Sequence, residues 1–478
     1  MTDFDDIIVG SGAGGSAAAY VLARAGRRVA LVEKGRALPA DGSTLDLERV
    51  VRRGEFRSTE FWLDKDDRHF EPEEYFNLGG KTKWYGAALL RYDRGEFEGE
   101  EAFHCLPWPI GYEDLAPYYE MAERLLGVRA FAAEPDIAGI SRRMNGSAWR
   151  PAPLPLGLSP RILEDLHEAT HFDGFASARG LKADAQTALL DRVPPQLRLT
   201  VITGQPVEQL IADRSSPRRV RGVRCADGRR ISAERVLLAA GALHSPRLLQ
   251  RYMRSTDLAS RLPCAPWVGR YFKRHLLTAM LAFSPSRKTD AIRKTVFWLS
   301  ERCPHSSVQP LGFGSDVIAS LLPSGLPRRA ARRLAEHAYG FFLQTEDGSH
   351  PDNRVSAEGD GTRLPRLDYD PRRTPEAMRE HAKVVASFRL ALLKAGLLGV
   401  GRRIGLAGTA HACGTLVAGR DPRRSVVDAD GRVHGMENLY VVDGSVLPRS
   451  SRVNPSLTIY AWAMRVADGL IGTTRRVT

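Results

Sequence analysis

The sequence predicts an α/β fold. It reads as a Rossmann-like dinucleotide-binding domain with a second domain, an antiparallel sheet with helices, interleaved through it. Three observations carry this. Residues 4–15, FDDIIVGSGAGG, read as a strand, a glycine-rich turn and a helix start. A second strand, Arg28-Val29-Ala30-Leu31-Val32, ends at Glu33. Far along the chain, AHACGT at 410–415 precedes a second helix start at Asn454-Pro455. A nucleotide site at one end and a candidate catalytic pair at the other require the chain to fold back on itself.

Taken in order, Ile7, Ile8 and Val9 form a short apolar run of the fully buried kind. Gly10, Gly12 and Gly15 follow with G-x-G-x-x-G spacing. Gly10 allows the tight turn, Gly12 lets backbone approach a pyrophosphate, and Gly15 lets the helix sit close to the sheet. A helix from about Gly14 to Ala25 would then aim its N-terminal N–H groups at the anion. Glu33 lies at roughly the 20-residue offset that suits a ribose hydroxyl, and its charge disfavours a 2′-phosphate.

Residues 40–130 are loop-rich. Within them Asn77-Leu78-Gly79-Gly80-Lys81-Thr82-Lys83-Trp84-Tyr85-Gly86 carries three glycines, which suggests close backbone approach to a ligand. A helix is expected from Tyr112 or Glu113. Strands are expected at Leu199–Ile202, at Val220–Cys225 before an Asp227-Gly228 hairpin turn, and at Arg235–Gly241. The texture changes between about 270 and 404, with strands near Leu277–Phe283 and Gly340–Gln344. One helix there should start with Thr374 as N-cap and Pro375 at N1, bury Val385, Phe388 and Leu392, and stop at Gly396.

At 478 residues the chain exceeds one ordinary core and implies two domains. Lys+Arg 69 against Asp+Glu 56 gives a net charge of +13, which raises nucleic acid as a partner. The arginines are scattered in short pairs without aromatic interleaving, so they read as solvated surface, and no nucleic-acid partner is expected. Five cysteines, widely spaced and without a C-x-x-C pair, indicate neither a disulfide framework nor a metal site. The acidic start, Asp3-Phe4-Asp5-Asp6, is unlike a signal peptide, and no apolar run is long enough for a membrane span. A cytoplasmic protein is expected.

The C-terminal stretch supplies the candidate chemistry. Asn454 as N-cap and Pro455 at N1 would open a helix whose positive end suits developing negative charge. His411, in a turn with Gly414, is a natural general base near neutral pH. His434, beside Gly435, reads as part of a hairpin turn.

Together these motifs resemble the glucose–methanol–choline (GMC) oxidoreductases, FAD enzymes that oxidise alcohols. The resemblance spans nearly the whole length. It rests on the Gly10–Gly15 turn with Glu33, the Gly79-Gly80 segment and Ala240-Gly241-Ala242-Leu243-His244-Ser245-Pro246. It continues in Val268-Gly269 to His275, His411–Thr415, Val442-Asp443-Gly444-Ser445 and Asn454-Pro455. It implies that His411 takes the hydroxyl proton, Asn454 hydrogen-bonds the substrate oxygen, and hydride passes to flavin N5. It implies FAD contacts at Gly10, Gly12, Ala13, Gly14, Gly15, Glu33 and Lys34. Further contacts are implied at Gly79, Gly80, Thr82, Tyr85, Gly86, Ala240, Gly241, Asn454 and Pro455. Val207 would hold the adenine by backbone contacts, and Asp443 with Gly444 the diphosphate–ribityl region. The FAD domain would comprise 1–130, 190–269 and 405–478. The substrate domain and connecting segments would comprise 131–189 and 270–404.

The Thr-Lys-aromatic-Tyr-Gly run most resembles that of sugar- and aminoglycoside-acting members. A sugar, cyclitol or other polyol-like or natural-product alcohol is therefore expected as substrate, with oxygen, a quinone or another acceptor taking the electrons. Trp84 stands where covalently flavinylated members place a linking histidine, so FAD should be non-covalent. The segment beginning at Ala240-Gly241, which is similar to the family's second signature, departs from it at Gln250-Arg251-Tyr252, and the cysteine-bearing loop of longer relatives is missing around Phe175–Leu190. That implies a trimmed lid and a more open pocket. An NAD-dependent dehydrogenase would not need Asp443-Gly444. A flavin monooxygenase would leave the Asn-Pro helix unexplained, and a non-catalytic flavin-binding protein would need neither His411 nor Asn454.

Overall fold

A computed structural model describes residues 2–358 and 364–475. Strand β1 (Phe4–Val9) buries Ile7 and Ile8 completely, as a strand flanked on both sides must. It runs parallel to β2 (Val29–Val32), with Asp6 opposite Val29 and Val9 opposite Val32. Between them α1 (Ala13–Arg24) buries small residues, Ala17, Ala18 and Ala19, and so lies close to the sheet. Helix α2 (Tyr112–Leu126) starts where expected. β3 (Arg150–Pro153) is the edge of a separate sheet described below.

β4 (Leu199–Ile202) extends the parallel array beyond β2. β5 (Val207–Ala212), β6 (Val220–Cys225) and β7 (Arg230–Leu238) form an antiparallel run ending beside β1. The strand expected from Arg235 therefore begins five residues earlier, directly after the Asp227-Gly228 turn. Its first residues pair with β6 and its later ones with β1, so one strand serves both halves of the sheet. Helix α3 (Gly241–Ser255) follows.

The second sheet collects β3 with β8 (His275–Phe283), β9 (Val296–Leu299), β10 (Ser306–Pro310), β11 (Ala338–Glu346) and β12 (Leu398–Arg403). It is antiparallel, in the order β12-β8-β11-β10-β9-β3. Helix α4 (Pro375–Lys394) packs on it through Phe388, which meets the rings of Trp149, Trp298 and Phe341 edge-on. Two expectations shift here. Phe388 and Leu392 are fully buried as expected, but the third fully buried residue of the stripe is Val384, with Val385 half-buried beside it. The Thr374 hydroxyl donates back to the Pro371 carbonyl instead of capping the helix.

The chain then returns. β13 (Leu439–Val441) lies parallel to β7, and α5 (Ser456–Arg475) packs on α1 and α2. The contact between the two ends is backbone to backbone. A Cβ on Gly14 would stand 1.8 Å from the Val442 carbonyl oxygen, and one on Gly15 would stand 1.9 Å from that of Gly10. Among the described residues no helix is long and apolar enough to cross a membrane, and the five cysteines are free and buried.

The Gly14 contact gives a stability prediction. Neither partner is a flexible side-chain end, so Gly14→Ala forces α1 away from the returning strand. Overpacking of this kind costs at least about 1–3 kcal/mol. A lowered thermal midpoint is expected, measured on FAD-stripped protein so that ligand loss does not contribute. An unchanged midpoint would count against this docking.

Candidate active site

A cavity of about 730 Å³ runs from the turn after β1 to the face of the second sheet. At the first end it is lined by Gly10, Gly12, Ala13, Gly14, Glu33 and Lys34. Gly12 has an ordinary φ of −64°, and a Cβ there would meet no chain atom within 4 Å. Packing therefore does not demand glycine at this position, and the open space beside it leaves room for close approach of a ligand. Gly80, at φ +56°, faces it, its Cβ position 3.1 Å from the Gly12 Cα. Two bare backbones facing each other form a cradle that fits a pyrophosphate.

Glu33 is nearly fully buried and accepts from the Ser11 N–H (2.9 Å), the Ser11 hydroxyl (2.6 Å) and the Gly35 N–H (2.9 Å). Burial pushes its carboxyl up, against the pull of these donors. The Ser11 hydroxyl in turn accepts from the Gly79 N–H at 3.0 Å. Glu33 thus braces both glycine segments as well as facing the cavity. Lys34 lies over the Phe76 ring, 3.6 Å from its centroid, and pairs with Glu60. Val207 lines the same end, tied to Glu33 through the Gln205 N–H.

Thr82, Tyr85, Gly86, Ala240, Gly241, Gly444 and Pro455 also line the cavity, whereas Gly15 and Gly79 do not. Gly15 is consumed by its contact with Gly10, and Gly79 turns at φ +87° to reach Ser11. Trp84 donates its indole N–H to Asn77 at 2.9 Å and stacks on Tyr75, ring centroids 4.9 Å apart. Asp443 is a brace too. Its carboxylate accepts from the Gly241 N–H (2.8 Å), the Ser445 N–H (2.8 Å) and the Ser245 and Ser445 hydroxyls.

The other end holds His411 and Asn454, 3.3 Å apart from Nε2 to Nδ2. Asn454 does not cap the helix, which opens at Ser456. Its Oδ1 instead accepts from Gln309 Nε2 at 2.6 Å, which turns the Asn454 N–H toward His411. His411 Nδ1 lies 2.7 Å from Nδ1 of the fully buried His275, on β8. His275 Nε2 lies 2.8 Å from the Ser451 carbonyl oxygen.

These contacts fix both tautomers. A carbonyl can only accept, so His275 donates from Nε2 and its Nδ1 accepts. His411 must then donate from Nδ1, which leaves its Nε2 unprotonated at the cavity, facing the Asn454 N–H. Ser451 holds this geometry at φ +67°, with its N–H on the buried Glu346 at 3.0 Å. The role of His275 was missed because its partner lies 136 residues away; it was visible only as the last residue of a quoted motif. His434 bonds to the Gly419 carbonyl and the Ser425 hydroxyl, both at 3.1 Å, in a turn outside the cavity lining.

A family model described as GMC oxidoreductase matches residues 349–463, and one described as FAD dependent oxidoreductase matches residues 5–286. The 6'''-hydroxyparomomycin C oxidase of Streptomyces lividus is 31% identical over 98% of this chain and 91% of its own. The paromamine 6'-oxidase of Streptomyces fradiae is likewise 31% identical over 98% and 91%. This chain belongs to the GMC family of FAD-dependent oxidoreductases. It is an enzyme of the alcohol-oxidising class. Solved structures show the same fold. The pyridoxine 4-oxidase from Mesorbium loti superposes with a TM-score of 0.66 at 20% identity, over 98% of this chain and 99% of that one. A formate oxidase variant (R554K) from Aspergillus oryzae gives 0.70 at 14%, over 99% of each.

Electrostatics set the pH behaviour of this GMC oxidoreductase. Burial holds His275 down to about 4. Burial first, then the neighbouring His275 ring and the charges on Lys294, Lys81 and Arg274, holds His411 well below 6.5. Protonation of His411 would occupy Nε2, so a base acting there would be lost only as pH falls through that depressed value. The rate of anaerobic flavin reduction by an alcohol is expected to be flat from about pH 6.5 to about pH 8. A limb with its midpoint at or above 6.5 would overturn the tautomer and burial argument.

Proposed function

We propose that this enzyme oxidises the hydroxyl of a sugar-, cyclitol- or other polyol-like or natural-product alcohol to the carbonyl. The carrying observation is the bare Nε2 of His411 beside the N–H of Asn454 on one cavity wall. An alcohol oxygen placed over this pair would give its proton to His411 Nε2 while accepting a hydrogen bond from Asn454 Nδ2. The amide then keeps the oxygen in place as the C–H bond breaks. His275 is a positioning residue, acting through the His411 ring. FAD, when bound, supplies the hydride acceptor. The Gly12–Gly80 cradle would hold its pyrophosphate, Val207 the adenine and Glu33 the ribose, while Asp443 secures the segments on both sides. The substrate class draws on the two aminoglycoside oxidases that the chain resembles over nearly its whole length.

The first test is His411→Ala. Loss of a general base typically costs about 10²–10⁴-fold. The variant is expected to stay folded and yellow yet lose anaerobic flavin reduction by that order across a panel of alcohols. Peroxide detection in air would then identify oxygen as an acceptor. Wild-type reduction rates in His411→Ala would place the base elsewhere.

A second test concerns the bond to FAD. Trp84 offers only its indole N–H, already given to Asn77, and no nucleophile for a covalent link. Acid precipitation is expected to release all the flavin into the supernatant. Flavin left in the pellet would contradict non-covalent binding. Gly12→Ala is expected to keep the wild-type thermal midpoint as apoprotein while losing FAD, since its Cβ obstructs the ligand alone. Full retention of FAD would overturn the cradle.

A further inference from the structure

The substrate end contains a lysine that the chemistry above does not use. Lys294 lines the cavity, yet its side chain is only 5% exposed. Its ammonium carries three donors. Among the described residues it has one hydrogen-bond partner, Asp173 Oδ2 at 2.9 Å. That oxygen also accepts from the Gly312 N–H at 2.9 Å. The ion pair presses on the glycine segment. A Cβ on Gly86 would stand 2.2 Å from Lys294 Nζ and 2.3 Å from Asp173 Oδ1. Glycine at 86 is what admits the pair to this wall. A buried ammonium with N–H groups left over is costly unless something completes its shell.

The rest of the wall shows what could do so. Glu60, Glu73 and Glu74 also line the cavity, and each is matched by a cation, Lys34, Arg57 and Lys81 respectively. Glu208 on the lining pairs with Arg224, whereas among the described residues Glu33 and Asp443 have no ion-pair partner and are filled by chain N–H and hydroxyl donors, so the wall offers a polycation no carboxylate left without a donor. Gln309 and Gln344 also line it. Their amide nitrogens are spent on Asn454 and on Ser307 with the Arg452 carbonyl, which leaves both side-chain carbonyl oxygens as acceptors. Apolar groups such as Leu277, Phe313 and Phe342 fill the space between.

We propose that Lys294, held by Asp173, is a second anchor for substrate. It donates to an oxygen other than the one oxidised and selects an uncharged, oxygen-rich alcohol over its amine-bearing counterpart. This rests on the alcohol-oxidising reading of the cavity. It sets this enzyme apart from one adapted to a free polyamine sugar.

The test compares two probes of one skeleton, paromamine and its fully N-acetylated form, titrated anaerobically into FAD-loaded enzyme. Binding is read from the flavin absorbance, and reduction is followed separately. Wild type is expected to bind the N-acetylated form more tightly. Lys294→Met removes the charged donor and should weaken that form about tenfold to a hundredfold. It also uncovers Asp173, so binding of the free amine should strengthen and the preference reverse. FAD content and the ligand-free flavin spectrum should not change. If Lys294→Met does not fold, the charge-neutral Lys294→Met/Asp173→Leu variant should show the same loss for the N-acetylated probe. A wild-type preference for the free amine, binding of neither probe, or an unchanged preference in the variants would overturn the proposal. A change confined to the ligand-free flavin spectrum would overturn it too, because Lys294 would then serve the cofactor. Failure of every alcohol to reduce the flavin would instead defeat the alcohol-oxidising reading.

Discussion

The site exists because two backbones touch. Gly14, at the start of α1, lies against the carbonyl of Val442 at the end of β13, where any side chain would force them apart. Asp443, next in the chain, then spends its buried carboxylate on Gly241, Ser245 and Ser445. A carboxylate out of water is tolerable only when its lone pairs are filled, and these donors fill them. The join therefore holds three remote segments: the first glycine turn, the start of α3 and the C-terminal return. His411 depends on it, because the Gly414 and Leu416 N–H groups bond to the carbonyls of Gly444 and Ser445. Asn454 comes from the same return, ten residues after Gly444.

A second, smaller constraint acts inside the first. The Ser451 carbonyl sets the proton on His275, and His275 sets the proton on His411. Among the described residues no carboxylate bonds to either ring, which distinguishes this pair from an imidazole backed by an acid. A carboxylate partner would stabilise the imidazolium. Here burial and a ring of cations oppose it. In the proposed mechanism this arrangement would keep His411 neutral over a wide pH range and make it a poor store for a proton once taken.

The legible parts of the sequence were those in which a local pattern has a local cause. Glycine spacing reports backbone approach within a few residues, so Gly10–Gly15 and the strand ending at Glu33 were readable with their packing. The roles of Glu33 and Asp443 were only half readable. A motif marks where a carboxylate lies, not how many chain donors it already serves. Asn454 misled for the same reason. Asn before Pro before an apolar stripe has the local form of a cap, but Gln309, 145 residues away, takes its oxygen. Lys294 and Asp173, 121 residues apart, carry no pattern at all; only the second sheet and the Gly86 segment bring them together. The catalytic half is built from such long-range pairs.

The two constraints and the Lys294 charge bear on each other. A cation on the cavity wall lowers the cost of an oxygen gaining negative charge as its proton leaves, and it raises the cost of His411 keeping that proton. Both effects push in one direction, toward a transferred proton that passes onward before the next turnover. The exit is constrained. His275 offers no onward path, since its Nε2 already donates to the Ser451 carbonyl and its Nδ1 faces His411. On the proposed reading, a proton taken by His411 would therefore leave from Nε2, back into the cavity. Water reaching that nitrogen after the product departs would meet the requirement, and needs no relay through the protein interior.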